Sequence, residues 1–210
     1  MLFLEDNQPF PPAEMADRRG ILAFSMSLKL PRLIAAYHQG IFPWYNEGEP
    51  VIWWCPDPRM VLFPEELKVS KSMKKVFREE VFTFTINKDF VSVIKSCQKI
   101  YRAGQDGTWI TQEIIENYVK MHKLGLAHSV EVWNHAGELV GGLYGVKINR
   151  VFCGESMFAK ESNASKAGFI WFVQQMRAHL DLIDCQVYTA HLASLGARLI
   201  PREEFLKYFD

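Results

Sequence analysis

Ala127-His-Ser-Val-Glu-Val-Trp133, Glu138-Leu-Val-Gly-Gly-Leu-Tyr-Gly-Val146 and Arg150-Val-Phe-Cys-Gly-Glu-Ser-Met-Phe158 are three consecutive strand-like runs, and their reading decides the fold class. β-branched and aromatic residues recur through them, which suits a pleated, half-buried surface. His135-Ala-Gly137 supplies a turn between the first two runs, so the three read as an antiparallel meander.

Upstream, Val81-Phe-Thr-Phe-Thr-Ile86 alternates as a strand, and Asn87 is expected to cap a helix carrying Phe90, Val93, Ile94 and Cys97 on one face. A second helix is expected from about Thr111, with the stripe Ile115, Tyr118, Val119 and His122, ended by Gly125. Downstream, Ser162 or Asn163 opens a long helix through His179. Leu182 to Tyr188 follows as a strand and Arg202 to Phe209 as a short helix. Strand, two helices, three strands, helix, strand, helix is an α+β order that mixes hairpins with one crossover. That order resembles the N-acetyltransferase (GNAT) fold, a mixed sheet flanked by helices.

Residues 1–60 differ from the rest. They hold Pro9, Pro11, Pro12, Pro31, Pro43, Pro50, Pro56 and Pro58, with Trp44, Trp53 and Trp54 in the second half. One helix stands out, with Pro31 at its first turn, Leu33, Ile34 and Tyr37 at helical spacing and Gly40 as its stop. The segment is therefore read as a small N-terminal domain of loops and short strands, and residues 61–210 as the catalytic domain.

The chain has 210 residues, is 49% hydrophobic, and balances 24 Lys plus Arg against 24 Asp plus Glu. That suffices for one sizeable core or two small domains, and excludes a chain-wide field for nucleic acid. Any nucleic-acid contact must come from a local patch. Cys55, Cys97, Cys153 and Cys185 are too far apart for a CxxC pair and too few for a disulfide scaffold, so reduced thiols are expected. No histidine spacing marks a metal site, and no Walker or GxGxxG motif offers a cofactor cradle, so neither metal nor cofactor is expected. The acidic, proline-bearing start is unlike a signal peptide, and no apolar run approaches the roughly 20 residues that span a bilayer. A cytoplasmic monomer without membrane contact is expected.

Three features carry chemistry. In Lys68-Val-Ser-Lys-Ser-Met-Lys-Lys-Val-Phe-Arg78, a helix from about Ser70 puts Lys71, Lys74, Lys75 and Arg78 in an arc of about 120°, with Met73, Val76 and Phe77 opposite. Such a strip suits a phosphate backbone, or is simply a solvated helix face. On the otherwise apolar run Leu182 to Tyr188, alternation places Asp184 and Gln186 on one face and Cys185 on the other. A carboxylate beside an amide on a core-like strand is costly unless hydrogen-bonded. The pair serves either to deprotonate and orient an attacking amine or only to fix packing, and Glu155 poses the same alternatives. Finally, the aromatic residues are dense, and some either line an apolar pocket or stack on a base.

Eight ordered blocks now resemble a known family: Gly40-Ile-Phe-Pro-Trp44, Trp53-Trp-Cys-Pro-Asp-Pro-Arg59, Gly107-Thr-Trp-Ile-Thr111, His128-Ser-Val-Glu-Val-Trp133, Val140-Gly-Gly-Leu-Tyr-Gly145, Phe152-Cys-Gly-Glu-Ser-Met-Phe158, Asn163-Ala-Ser-Lys166 and Leu182-Ile-Asp-Cys-Gln186. They are similar to the signature blocks of the bacterial leucyl/phenylalanyl-tRNA-protein transferases. The resemblance implies transfer of Leu or Phe, less readily Met, from Leu-tRNA or Phe-tRNA to proteins with N-terminal Lys or Arg, marking them for N-end-rule degradation. It implies Asp184 and Gln186 as the catalytic pair and Glu155 as a site carboxylate engaging the basic acceptor. Trp44, Trp109, Phe152 and Phe172 are implied for the aminoacyl-adenosine end and its apolar pocket, and the basic helix for the tRNA acceptor stem. The chain departs from the family pattern at Ser25-Met26-Ser27-Leu28, where many members carry Gly-Gly-Asp-Leu, and at the pocket positions Leu143 and Met176.

An aminoacyl ester is already activated, so positioning, amine deprotonation and oxyanion stabilisation suffice without a covalent intermediate. Two rival readings stay open. One is an acyl-CoA-dependent N-acetyltransferase, disfavoured because Ala159-Lys-Glu-Ser-Asn-Ala-Ser-Lys-Ala-Gly168 lacks a glycine-rich phosphate loop. The other is a non-catalytic module that binds aminoacyl-tRNA or basic N termini.

Overall fold

The computed structural model describes residues 2–5, 7–100 and 108–209. Gly107, first residue of the Gly107-Thr-Trp-Ile-Thr111 block, lies outside them. In chain order the elements are β1 (Ile21–Ser25), α1 (Leu30–Tyr37), β2 (Phe42–Pro43), β3 (Val51–Trp54), β4 (Arg59–Leu62), α2 (Lys71–Arg78), β5 (Thr83–Ile86), α3 (Phe90–Lys99), α4 (Gln112–Lys123), β6 (Ala127–Trp133), β7 (Leu139–Ile148), β8 (Val151–Ala159), α5 (Ala164–Met176), β9 (Leu182–Gln186), α6 (Ala190–Ser194), β10 (Arg198–Ile200) and α7 (Arg202–Leu206).

Local chemistry sets most element ends. α1 starts with Pro31 in its first turn and stops at Gly40, whose φ of +67° is the left-handed conformation expected there. Ser70 caps α2 by accepting the Met73 N–H, and Thr111 caps α4 by accepting the Ile114 N–H. Asn163 opens α5 as expected, though without a side-chain cap bond, while the expected cap at α3 fails. Asn87 and Asn163 both sit at positive φ, 59° and 68°. Asp89 caps α3 instead through the Ser92 N–H, while Asn87 accepts the Ser129 N–H. Asparagine is favoured both at caps and in left-handed turns, and only tertiary context separates the two uses.

The three expected strands form the meander β6-β7-β8, and α5 carries the chain across to β9, which pairs parallel with β8. The whole sheet runs β10-β4-β9-β8-β7-β6-β5, with β8–β9 as its parallel step. The fold is α+β, with the GNAT-like element order read from the sequence. A small N-terminal sheet, β1-β3-β2, stands apart from it. β4 was not anticipated: Arg59 and Met60, grouped above with residues 1–60, are strand residues of the large sheet, inserted between β9 and β10. β9 and α7 are shorter than expected, and α5 ends at Met176 rather than His179.

Helix α5 covers one face of the large sheet, and α3 and α4 the other. The core follows that division. Met60, Leu143, Phe152, Phe169 and Ile183 pack on the α5 side, while Val61, Tyr144, Val146, Cys153 and Leu182 pack on the other. The second cluster runs without a break into Leu33, Tyr37, Phe42 and Trp53 of the N-terminal sheet and helix. Buried Glu131 on β6 shows how a core carboxylate is satisfied without being a site. It accepts from Ser129 at 2.5 Å, from Thr85 at 2.6 Å, and from the Lys88 and Asp89 N–H groups that lead into α3.

Candidate active site

Two interruptions of the sheet create the site. Tyr144 faces Ser156 and Gly145 faces Gly154, so Glu155 is an extra residue bulged out of β8. Met60 faces Gln186 and Val61 faces Asp184, so Cys185 is an extra residue bulged out of β9. Bulges bend strands and re-aim side chains. Pairing between β8 and β9 stops after Cys153 and Asp184 although β8 continues to Ala159, and the strands part there. Gly145 is required opposite the first bulge, because an added Cβ would lie 2.3 Å from the Cys153 carbonyl oxygen and 2.6 Å from the Phe152 ring.

A cavity of about 380 Å³ opens in the cleft, with Leu143, Phe152, Phe169, Ile183 and Cys185 at its apolar end. A second, of about 140 Å³, adjoins it beside Phe42 and Pro43. Trp44, Trp109, Glu155, Gln186 and Val187 line both. Of the six pocket residues anticipated, Trp44, Trp109, Leu143 and Phe152 line the larger cavity. Phe172 and Met176 do not. Phe172 stands behind Phe152, with ring centroids 4.5 Å apart, and Met176 packs against the α5-side core. Both lie on a helix one layer outside the strands, and Phe169, a turn earlier on α5, takes the lining position.

Asp184 and Gln186 come together, but not by alternation: the Cys185 bulge breaks the period, and all three residues line the larger cavity. Gln186 has φ +63°, and its N–H donates to Asp184 Oδ1 at 2.8 Å. Asp184 is fully buried and ion-paired with Arg59, whose Nε reaches Oδ1 at 2.7 Å and whose Nη2 reaches Oδ2 at 2.6 Å. The guanidinium lies between the rings of Phe42 and Phe205, 4.7 and 4.5 Å from their centroids. Burial is the largest single influence and works against this cation, but the charge of Asp184 and its hydrogen bonds together hold Arg59 above its ordinary range. Both Asp184 oxygens thus accept hydrogen bonds inside the protein, and Asp184 also lines the larger cavity.

Gln186 Nε2 donates to Glu155 Oε1 at 2.9 Å, and the Tyr118 hydroxyl donates to Glu155 Oε2 at 3.1 Å. Burial lifts the Glu155 carboxyl to about 7, opposed by the hydroxyls of Tyr37 and Tyr118 and raised further by Asp184. Sequence reading missed Arg59, Tyr37 and Tyr118. The signal available for Arg59 was its place at the end of the Trp53 to Arg59 block; Tyr118 appeared only as one residue of a helix stripe. Cys185 lines the cavity, and burial first and Asp184 second push its thiol far up. Lys71, Lys74, Lys75 and Arg78 are exposed on α2, with Met73 buried beneath them. The strip therefore exists as read. Among the described residues, no helix is long and apolar enough to cross a membrane.

Fold and site define a class: an α+β enzyme whose apolar cavity ends on a carboxylate and an amide. The comparisons with known proteins make it particular. A family model described as leucyl/phenylalanyl-tRNA protein transferase matches residues 61–210, and one for the N-terminal domain of the same family matches residues 26–57. A leucyl/phenylalanyl-tRNA–protein transferase of Christiangramia forsetii is 56% identical, covering 99% of each chain. One from Flavobacterium johnsoniae is 54% identical over 98% of this chain and 97% of its own. The chain belongs to the leucyl/phenylalanyl-tRNA protein transferase family, and it is a transferase enzyme. Among solved structures, L-PGS from Bacillus licheniformis is 12% identical with a TM-score of 0.43, covering 82% of this chain and 57% of its own, a likeness too weak to argue from.

Proposed function

We propose that the protein transfers Leu or Phe, and less readily Met, from aminoacyl-tRNA to the α-amine of proteins that begin with Lys or Arg, and that the product carries a degradation signal. One observation carries this reading: a large apolar cavity and a small one meet at Glu155 and Gln186. The donor's apolar side chain takes the larger cavity, over Leu143, Phe152, Phe169 and Ile183. The acceptor's first residue takes the smaller, where Glu155 offers the negative charge that a Lys or Arg side chain needs. An acceptor whose first side chain is neutral leaves that carboxylate without a cation.

Because the donor ester is activated, much of the rate comes from holding amine and carbonyl together. Asp184, fixed by Arg59, holds the Gln186 backbone in its turn, so the Gln186 amide bridges Glu155 and the place where the substrates meet. Lys71, Lys74, Lys75 and Arg78 bind phosphates of the tRNA acceptor stem. The test is transfer of radiolabelled Leu or Phe from charged tRNA to a reporter protein beginning with Arg, beside an otherwise identical reporter beginning with Gly. Labelling of the Arg reporter alone is expected. Equal labelling of both removes the acceptor rule, and labelling of neither removes the transfer reading.

A further inference from the structure

The two cavities differ in which part of the chain builds them. Trp44, Trp109, Glu155, Gln186 and Val187 line both, whereas Phe42 and Pro43 line the smaller alone. Those two residues fall within 26–57, the stretch that the N-terminal family model matches. The apolar end of the larger cavity, from Leu143 to Cys185, owes that stretch nothing.

The same stretch reaches Glu155 a second time, from behind. The Tyr118 hydroxyl of α4 donates to Glu155, which leaves its oxygen to accept the hydroxyl of Tyr37 from α1. Both rings are buried, and they meet edge to face with centroids 6.3 Å apart. Helix α1 packs on both α4 and β2, so it fixes the tyrosine behind the carboxylate together with the wall in front of it. Burial, and then the Glu155 charge, push both phenols well above their ordinary range, so they remain neutral donors.

Glu155 thus has one oxygen held by a phenol and the other by the Gln186 amide, neither of which brings a positive charge. Each oxygen keeps a further lone pair for a donor. The titratable groups facing it are Tyr37 of α1, Arg59 of β4, Tyr118 of α4, Cys153 on its own strand and Asp184 of β9, with Tyr144 of β7 on the same cavity wall. Arg59 is the cation of that set, and Asp184 matches it through two hydrogen bonds. A cationic side chain entering the smaller cavity therefore meets a carboxylate whose charge is still to be matched.

Resting on the transfer reading above, we propose that the N-terminal stretch serves acceptor selection: Tyr37, acting through Tyr118, is a positioning residue that holds Glu155 as the partner of the acceptor's Lys or Arg side chain. Burial opposes the charged form of Glu155, and the hydroxyls of Tyr37 and Tyr118 are the strongest influences restoring it. Removing either hydroxyl favours the protonated carboxyl, which has no charge to offer a cation. The donor's aminoacyl end, seated in the larger cavity, is untouched by that change.

The experiment measures kcat and KM for a peptide beginning with Arg between about pH 6 and 9, with charged-tRNA affinity and thermal melting recorded beside them. In the wild type, KM is expected to rise as pH falls through about 7, where Glu155 protonates. Losing one donor to the charged form is expected to move that rise upward by about one pH unit, which makes KM about fivefold higher at pH 7 and under about twofold higher at pH 9. Tyr118→Phe and Tyr37→Phe should both show this, with kcat at saturating acceptor held within about threefold and tRNA affinity unchanged. Tyr37→Phe carries the test if Tyr118→Phe fails to fold. In a Glu155→Gln background, adding Tyr37→Phe is expected to leave KM where it was, because the group it positions is gone. A loss confined to kcat, a rise in KM equal at all pH values, or a further loss from Tyr37→Phe in the Glu155→Gln background overturns the assignment while leaving the transfer reading standing. Absence of transfer by the wild type overturns both.

Discussion

Arg59→Met tests whether the buried ion pair holds the site together. Each side chain of the pair is 1% exposed, the two bonds are 2.7 and 2.6 Å, and Asp184 would keep the Gln186 N–H and the Cys153 thiol as donors but no cation. Removing one partner of such a pair leaves an uncompensated charge, at a cost of about 3–5 kcal/mol. Loss of the guanidinium between Phe42 and Phe205 acts in the same direction. In a chain of this length each kcal/mol lowers the melting temperature by about 2–4 °C, so a fall of roughly 6–20 °C is expected. Calorimetry and urea unfolding at neutral pH measure it. The double variant Arg59→Met/Asp184→Leu removes both charges and is expected to recover about 2 kcal/mol or more over the single change, without recovering transfer. A single-variant loss below about 1 kcal/mol, or a double variant no more stable than the single, would refute the reasoning.

Other consequences follow from the same geometry. Gln186 sits at φ +63°, so Gln186→Gly is expected to keep stability within about 1 kcal/mol and tRNA affinity intact while transfer falls about 10²-fold; equal loss of binding would make Gln186 a folding residue. Lys74→Glu with Lys75→Glu is expected to weaken tRNA binding and flatten its dependence on salt, because fewer counterions are released; an unchanged slope removes α2 from the tRNA surface. Glu155, raised from 4.5 to about 7 in the folded state, binds a proton more tightly there than when unfolded. Its contribution is therefore fully present below pH 4.5 and lost as pH rises through 7. Glu155→Gln should accordingly be more stable than wild type at pH 8, by on the order of 3 kcal/mol, with the difference vanishing near pH 4.5. A stability gap that does not change with pH refutes the shift.

Much of this molecule is legible in one dimension because the information is local. The basic strip on α2 follows from 3.6-residue periodicity, and the meander β6-β7-β8 from strand composition and short turns. Family blocks named Asp184, Gln186 and Glu155, and four of the six pocket residues line the cavity. What the blocks could not convey is which groups hold which. Arg59 and Asp184 stand 125 positions apart, and no pattern in either segment announces the other. Tyr37 and Tyr118, from helices 81 positions apart, meet behind Glu155 because α1 packs on α4. The bulges at Glu155 and Cys185 depend on the register of partner strands, which is a property of the pair and not of either strand. Local propensity and periodicity are decided by near neighbours in the chain and so can be read from it. Burial, pairing of charges and the parting of β8 from β9 exist only once distant segments share space, and these decide which carboxylate is ion-paired and where the cleft opens.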